Sequence, residues 1–484
     1  MSIEKLEIFT GNIAEVFGDA NILQNWYGET QAKKAILKPV KPTRIVNSFE
    51  QPGRCLFKTS SGPELVPQFF AVFGSKVFVM SRHGNIKTLV GELSTFTGKV
   101  YAIETGGMDS HVVLSDGTFL YKIDVMNPTS ITKIDLPHEP NNPNNVEITP
   151  GAIAYSNGRI VVQCKDTDFF MYSDLYAFTF DDLNFQKAEA YADIIEFLCV
   201  SNNLLYVFGK TSVQVYQPSS DSVTPFISSP NNAIGLGILN ENSVQVLADR
   251  VFFIGSGETG AFKVYQMQGN QLEVISTPAI ERQIARIFNP LTENSQSWSE
   301  DGHVFVAWSF NNSNETYVYD SATTMWHTRV YRDSLNLEKP WNLRNARMNL
   351  KNFAWFVRGS DLVEFIEDKV PQQTTVDLDI VKRLRVEIPT GFKSIIKCIR
   401  IKCNTGYLAG RTANKQPELS LRFSRDNGKT FNNTIRKTLG NVGAYNTEVK
   451  IHNLGFYENP LLEIETIHNV VIEAIVVEFE VCNE

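Results

Sequence analysis

The side-chain pattern that most suggests chemistry lies near the C-terminus, at Ser424, Asp426, Gly428, Thr430 and Phe431. At this spacing an aspartate can accept hydrogen bonds from the amides of a tight turn, and glycine allows the backbone to reverse. The aromatic side chain can pack underneath. The pattern therefore predicts a structural hairpin turn rather than a catalytic element.

This spacing resembles the Asp box of sialidases and other β proteins, where the box is a structural hairpin. A glycosidase would also need two carboxylates across a cleft, or a tyrosine nucleophile beside an arginine cluster. The chain has 53 Asp and Glu residues, and no motif selects a pair among them. We therefore predict that the protein is not an enzyme, and a carbohydrate-binding or glycoside-hydrolysing propeller remains the alternative.

Motifs for cofactors and metals are missing from the sequence. It contains no GxSxG, P-loop or HExxH motif, and no GxGxxG opens a βα unit. The six cysteines are scattered and form no CxxC pair, which favours reduced, buried thiols. We expect neither a cofactor nor a metal.

An aromatic pair, Trp26 and Tyr27, lies in an N-terminal segment that is poor in regular patterns. These rings could pack the segment onto the body of the protein. Alternatively, they could form an anchor for assembly with a partner, because Trp and Tyr are enriched at interface hot spots.

The overall charge and the N-terminus limit the functional class. The net charge of −8 over 484 residues argues against a protein that grips duplex DNA, although passive contact in a channel is compatible with it. No signal peptide is recognisable, and no apolar run approaches the roughly 18 residues of a membrane span. We expect synthesis in the cytoplasm and no membrane insertion.

Most of the chain alternates apolar runs with tight turns. Two of these turns are Asp116-Gly117 and Asn157-Gly158, dipeptides that tolerate the positive φ angles of a two-residue hairpin. The flanking runs are rich in Val, Ile, Phe and Tyr, which favour strands. The pattern predicts an all-β protein.

The hairpins recur at intervals of roughly 35–55 residues, which predicts a β-propeller of six or seven blades. We assign it to residues 46–370, after an irregular N-terminal arm (1–45) that has a short helix at 30–37. A second helix is expected at 275–288, with Thr277 as N-cap and Pro278 in its first turn. A polar linker at 366–375 precedes a β-sandwich-like domain at 376–484. Two stacked β-sandwiches are the alternative architecture.

Several segments, taken in order, resemble the packaged-DNA-stabilisation proteins, or tail hubs, of short-tailed bacteriophages. Residues 25–29 are similar to a family N-x-Y-P-E stretch, with Gly28 in place of proline, and Gln214 stands where members often have glutamate. The other matching segments are 206–209, 213–216, 275–281, 316–320, 326–327, 417–422, the Asp-box turn, 439–440 and 443–445. Together they span most of residues 20–480.

The resemblance implies a virion protein of the phage tail. Such a protein would form a ring, expected to be a hexamer, below the portal and adaptor proteins. The ring would close the channel after packaging, retain the DNA and receive a tail needle, nozzle or fibres.

Overall fold

The computed structural model describes residues 3–482 except for a set of short gaps. These gaps are 9–21, 32–33, 42, 61, 64–65, 82, 85–86, 107–109, 141–145, 189–192, 222–223, 248, 258–259, 334, 336, 342, 349–353, 366–379, 405–416 and 441–445. The expected linker at 366–375 and the motif at 443–445 lie outside the described residues.

The N-terminal segment contributes five strands. They are β1 (Ile3–Glu7), β2 (Ile22–Gln24), β3 (Trp26–Gln31), β4 (Lys34–Pro39) and β5 (Thr43–Ser48). The expected helix at 30–37 is wrong, because β3 and β4 pair antiparallel there, with Thr30 opposite Ala35. The expectation of an irregular arm is corrected in the same way, since its described part is mostly strand and pairs with the rest of the chain.

Antiparallel sheets, which we call blades, fill the middle of the chain. Blade 1 is β6 (Gly53–Lys58), β7 (Phe69–Phe73), β8 (Lys76–Met80) and β9 (Lys87–Glu92). Blade 2 is β10 (Tyr101–Glu104), β11 (His111–Ser115), β12 (Leu120–Asp124) and β13 (Thr132–Ile134). Blade 3 is β14 (Pro150–Ser156), β15 (Arg159–Cys164), β16 (Phe169–Tyr172) and β17 (Phe185–Lys187). Blades 4 and 5 are β18 (Ile195–Ser201), β19 (Leu204–Gly209), β20 (Val213–Pro218) and β21 (Phe226–Ile234); and β22 (Gly237–Ile238), β23 (Gln245–Leu247), β24 (Arg250–Ser256), β25 (Phe262–Gln268) and β26 (Gln271–Val274).

Blade 6 is β27 (Thr292–Glu300), β28 (His303–Phe310), β29 (Thr316–Asp320) and β30 (Met325–Arg332), with the short β31 (Glu338–Pro340) beside β30. Blade 7 is β32 (Arg344–Met348), β33 (Ala354–Arg358) and β34 (Asp361–Phe365), completed by β5 from the N-terminus. The part of the chain that the structure describes thus has seven blades. The predicted propeller is confirmed, with the larger of the two expected blade numbers, and the two-sandwich alternative is wrong.

The hairpins follow the turn chemistry of the sequence. At the β14–β15 turn, Asn157 and Gly158 have φ angles of 50° and 78°, as a two-residue hairpin requires. The strands that they join are buried on both faces, because each blade packs between two neighbours. Val161 and Val162, for example, face opposite sides and are both fully buried.

The ring closes where blade 1 meets blade 7. The amide of Gly53 in β6 donates to the carbonyl of Gly359 at 2.8 Å. A Cβ on Gly53 would lie 2.4 Å from Val357, so only glycine allows this approach. Strand β5 then pairs along β34 as the outer strand of blade 7. The propeller is therefore closed by strands from both ends of its sequence.

The helix expected at 275–288 is confirmed as α1 (Pro278–Arg286). The Thr277 hydroxyl accepts a hydrogen bond from the Ile280 amide at 3.4 Å, and Pro278 occupies the first turn. These residues set the start of the helix because the first turn leaves amides without partners inside the helix.

The C-terminal strands form two packed sheets. They are β35 (Lys382–Glu387), β36 (Ser394–Asn404), β37 (Glu418–Ser424), β38 (Ile435–Thr438), β39 (Thr447–Tyr457), β40 (Leu461–Thr466) and β41 (Val471–Val481). One sheet has the order β3-β4-β41-β36-β39, and the other contains β2-β35-β40-β37-β38. Leu419, Leu421 and Phe423 alternate along β37 and enter the shared core. The β-sandwich-like domain is confirmed.

Strand β2 joins the two parts of the molecule. It pairs parallel to β30 of blade 6, where Gln24 lies opposite Thr328, and antiparallel to β35 of the sandwich. Blade 6 and one sandwich sheet therefore form a single sheet of ten strands in the described residues. The N-terminal segment is the element that makes this sheet continuous.

The closure of blade 7 gives a first prediction. The buried Glu364 carboxylate accepts hydrogen bonds from Arg44 of β5 at 2.8 Å and from the Trp355 indole at 2.9 Å. We expect Glu364→Ala to lower the free energy of unfolding by about 1–3 kcal/mol, because the buried indole loses its acceptor. Glu364→Gln keeps an acceptor oxygen and should lose less. Chemical denaturation measures both, and equal losses would contradict this role of the carboxylate.

Candidate functional site: the joint between propeller and sandwich

Asn25 connects three segments of the chain at the joint. Its side-chain amide donates to the carbonyls of Val330 at 3.1 Å and Val381 at 2.8 Å, and its oxygen accepts from the Val330 amide at 3.0 Å. Its backbone donates to Thr328 at 2.8 Å and accepts from Val40 at 3.0 Å. A φ angle of 56°, which asparagine tolerates better than most residues, turns the chain between β2 and β3. Asn25 thus satisfies buried groups of the propeller and the sandwich together.

Trp26 and Tyr27 enter different hydrophobic cores. Trp26 is fully buried in the sandwich core, and its indole donates to the Val470 carbonyl at 3.0 Å. Tyr27 is 1% exposed and packs on blade 6, with its ring 5.3 Å from that of Phe305. Successive side chains of a strand point to opposite faces, so β3 joins the two cores. Both contacts are intramolecular, and in this conformation neither ring is available as an assembly anchor.

Behind Tyr27 lies a buried arginine. The Arg329 guanidinium packs on Trp298 at 4.7 Å and Trp341 at 4.8 Å, and it lies 3.8 Å from the Glu300 carboxylate. Burial lowers the pKa of Arg329 to about 10 and raises the pKa of Tyr27 well above its usual value. The aromatic rings and the carboxylate compensate in part for the buried charge, so this cluster stabilises the part of blade 6 that lies next to the joint.

A chain of ion pairs also crosses the joint and connects the propeller to the sandwich. Arg383 of β35 binds Glu465 of the sandwich at 2.6 Å, Gln24 at 3.0 Å and Glu338 of the propeller at 3.0 Å. Arg332 also binds Glu338, at 3.3 Å. Burial opposes the charge of Glu338, but these two arginines outweigh it and hold its pKa below the usual value. Glu338 is therefore charged at neutral pH, and its ion pairs with both arginines are formed.

The network continues to a fully buried carboxylate, Glu463. It pairs with Arg385 and Arg422, and Arg383 lies 3.9 Å away. The Phe431 ring lies 4.6 Å from the Arg422 guanidinium and 5.4 Å from that of Arg385. Phe431, the aromatic residue of the Asp-box pattern, thus packs against these guanidinium groups.

The other Asp-box residues bind one another. Asp426 accepts hydrogen bonds from the Thr430 hydroxyl at 2.6 Å, the Thr430 amide at 2.8 Å and the Ser424 hydroxyl at 2.7 Å. These bonds, those of Thr430 first, hold the pKa of Asp426 well below its usual value. Gly428 has a φ angle of 85°, and its amide donates to Ser424 at 2.7 Å. Both carboxylate oxygens of Asp426 are thus engaged within the turn.

The sequence pattern indicated Trp26, Tyr27 and the Asp-box turn, but not the arginine–glutamate ion pairs of the joint. A signal was present: Arg383 and Arg385 alternate in β35, and Glu463 and Glu465 alternate in β40. The structure places Arg383 opposite Glu465 and Arg385 opposite Glu463. Opposite charges in directly facing positions favour this pairing and register.

The described ranges contain no group of three or more His, Cys, Asp or Glu side chains that could hold a metal ion. Nor do these ranges include a helix with the length and hydrophobicity of a membrane span.

These features define a class: a closed seven-bladed β-propeller joined through its N-terminal strands to a β-sandwich. The chain belongs to the phage stabilisation family described as Bacteriophage P22 Gp10, beta-propeller, whose sequence model matches residues 66–357. That family consists of phage structural proteins, and the chain therefore has a structural role in a virion. The predicted resemblance is confirmed.

Solved structures are similar to the chain at low identity. The extracellular domain of a one-component system from B. thetaiotaomicron aligns with a TM-score of 0.43 and 12% identity, over 67% of this chain and 40% of that one. The N-terminal domain of Nup159 aligns with a TM-score of 0.41 and 14% identity, over 71% of this chain and 98% of that one. The chain thus spans less than half of the first structure. No curated protein matches the sequence.

Replacing Asn25 tests the joint. Asn25→Gly keeps the backbone conformation but removes the three side-chain hydrogen bonds, leaving buried groups of Val330 and Val381 without partners. We expect a loss of about 2–4 kcal/mol in unfolding free energy. As a matched control, Asn202→Gly changes an exposed hairpin asparagine with a φ angle of 47° and should cost little. Equal effects in chemical denaturation would contradict the role of Asn25.

The Asp-box turn predicts a pH dependence. Because the folded pKa of Asp426 is depressed, its stabilising effect is complete above the ordinary aspartate pKa of about 3.9 and is lost as the pH falls below it. Asp426→Asn should therefore lower the melting temperature at neutral pH, and the gap to wild type should start to close below about pH 4. The control Asp135→Asn, at an exposed position directly after β13, should not change the melting temperature. A gap that stays constant with pH would contradict the prediction.

Proposed function

We propose that this protein is a tail hub, a head-to-tail connector that closes the channel below the portal and adaptor proteins. It would retain the packaged DNA and receive a needle, nozzle or fibre proteins. The observation that carries this proposal is the family match over the propeller, since the family is named for phage stabilisation. The expected location is the phage tail, and we expect no enzymatic activity.

The architecture supports a mechanical role. A closed propeller has no long open edge, and blade 7 is completed by a strand from the other end of the propeller sequence. The joint adds continuous backbone pairing, two shared cores and a chain of ion pairs. Such a subunit can transmit force between its two ends without a hinge at the joint.

Assembly would use surfaces outside the joint, because Trp26 and Tyr27 are buried. A ring of copies needs two different contact surfaces on each subunit. The net charge of −8 suits passive contact with DNA, because an acidic channel wall repels phosphates and lets the polymer slide. We retain the division into residues 1–45, 46–370 and 376–484, with the first segment serving as the clamp between the other two.

The test uses phage particles assembled without this protein. We expect such particles to package DNA and then lose it, which nuclease sensitivity and particle density would measure. Supplying the wild-type protein or Asn202→Gly should restore retention and infectivity, whereas Asn25→Gly should restore less at elevated temperature. Particles that lack the protein, keep their DNA and infect normally would overturn the proposal.

A further inference from the structure

A preformed cavity lies between the segment that follows β5, residues 49–51, and strands β7, β8 and β9 of blade 1. Its volume is about 150 Å³. Small-molecule sites typically measure about 300–1,000 Å³, so this one suits a single side chain of a macromolecular partner. We call it the Phe49 pocket; residues that line it include Phe49, Phe73, Phe78, Lys76, Lys87 and Leu89.

The Phe49 pocket is aromatic inside, and two lysines and one glutamate give its mouth a net positive charge. Phe49 stacks on Phe73 with ring centres 3.6 Å apart. The exposed Lys87 ammonium lies 4.1 Å from the centre of the Phe49 ring, and Lys76 pairs with the exposed Glu50 at 2.9 Å. Leu89 is half exposed at the rim. The pocket therefore favours an aromatic side chain flanked by acidic groups.

A loop with the complementary composition lies on blade 3, between β16 and β17. Tyr176 and Leu183 are 74% and 80% exposed, and Leu175 beside them is half exposed. Asp181 and Asp182 are exposed in the same loop. Several large apolar side chains exposed on one loop are typical of an interaction surface.

This loop is held in shape before any partner binds. Asp174 accepts hydrogen bonds from Thr179 at 2.7 Å and Asn184 at 2.9 Å. The Tyr176 amide donates to the Gly158 carbonyl at 2.7 Å, with Tyr176 at a φ angle of 54° that is rare for a bulky residue. Preorganisation of this kind lowers the entropic cost of binding. The loop thus presents Tyr176 as a rigid anchor.

We propose that Tyr176 of one copy of this chain enters the Phe49 pocket of a second copy, with Asp181 and Asp182 facing Lys76 and Lys87. The inference rests on the ring assembly proposed above and identifies two of its contact surfaces. Loop and pocket lie on different blades, so their contact is head-to-tail between copies. Such contacts continue until they close into a ring or extend as a filament.

Two complementary variants of the full chain test the pairing. Tyr176→Ala removes the anchor and leaves the pocket intact, whereas Leu89→Asp places a carboxylate at the pocket mouth and leaves the loop intact. By sedimentation velocity, we expect wild type to self-associate and each variant alone to associate about 30-fold more weakly. An equimolar mixture should form a 1:1 dimer and nothing larger, because one intact loop meets one intact pocket.

Matched controls are Phe288→Ala, which removes another exposed aromatic ring, and Leu272→Asp, on the outer strand of blade 5. Both should associate like wild type, and circular dichroism should show all four variants folded.

If both test variants associate as strongly as wild type, the loop–pocket contact is overturned and the hub function is left intact. A wild type that stays monomeric at roughly 100 µM would overturn the contact as a self-association site, while the DNA-retention assay decides the function independently. Test variants that associate normally but fail to enter particles would show that the pocket receives another virion protein, which also overturns the proposal.

Discussion

The pairing of β2 between blade 6 and the sandwich is the constraint on which the rest of the structure depends. A three-residue strand could not hold two domains by its own hydrogen bonds. It does so because Asn25 follows it directly and binds groups 305 and 356 residues further along the chain. Trp26 and Tyr27 of β3 then enter the sandwich core and the blade 6 core. Displacing β2 together with the start of β3 would therefore expose both rings and leave several buried amides and carbonyls without partners.

The same N-terminal segment also completes the propeller. After β3 and β4 extend one sheet of the sandwich, β5 returns to the outer edge of blade 7, and Phe49 stacks on Phe73 of blade 1. The first residues of the chain therefore need partners from its last third. Contacts between residues so distant in sequence carry a high loop-closure cost and form slowly. We infer that blades 1 to 6, whose contacts are mostly local, form before the joint and the ring closure.

How much could be predicted from the sequence follows from this distinction between local and distant contacts. The Asn157-Gly158 turn, the alternation of Leu419, Leu421 and Phe423, and the start of α1 at Thr277 and Pro278 are written in neighbouring residues. The N-terminal strands are not, because β3 contains Gly28 and polar residues and becomes a strand only through its partners β4 and the sandwich. The interrupted edge of blade 5, where β22 and β23 share the partner β24, was also beyond prediction, since a two-residue strand has no periodicity.

The ion pairs at the joint have a different physical role from the cores. Burying the Glu463 carboxylate costs desolvation energy that its attraction to the partly exposed arginines must offset, so the cluster is a weak source of net stability. Its value lies in position: Arg383 can meet Glu465 and Glu338 together only when β35 has the correct register and blade 6 the correct distance. A slip of one residue would turn Arg383 and Arg385 into the apolar core and Leu384 out of it. Nonpolar packing holds the two domains together, and the charges determine the single arrangement in which they can be held.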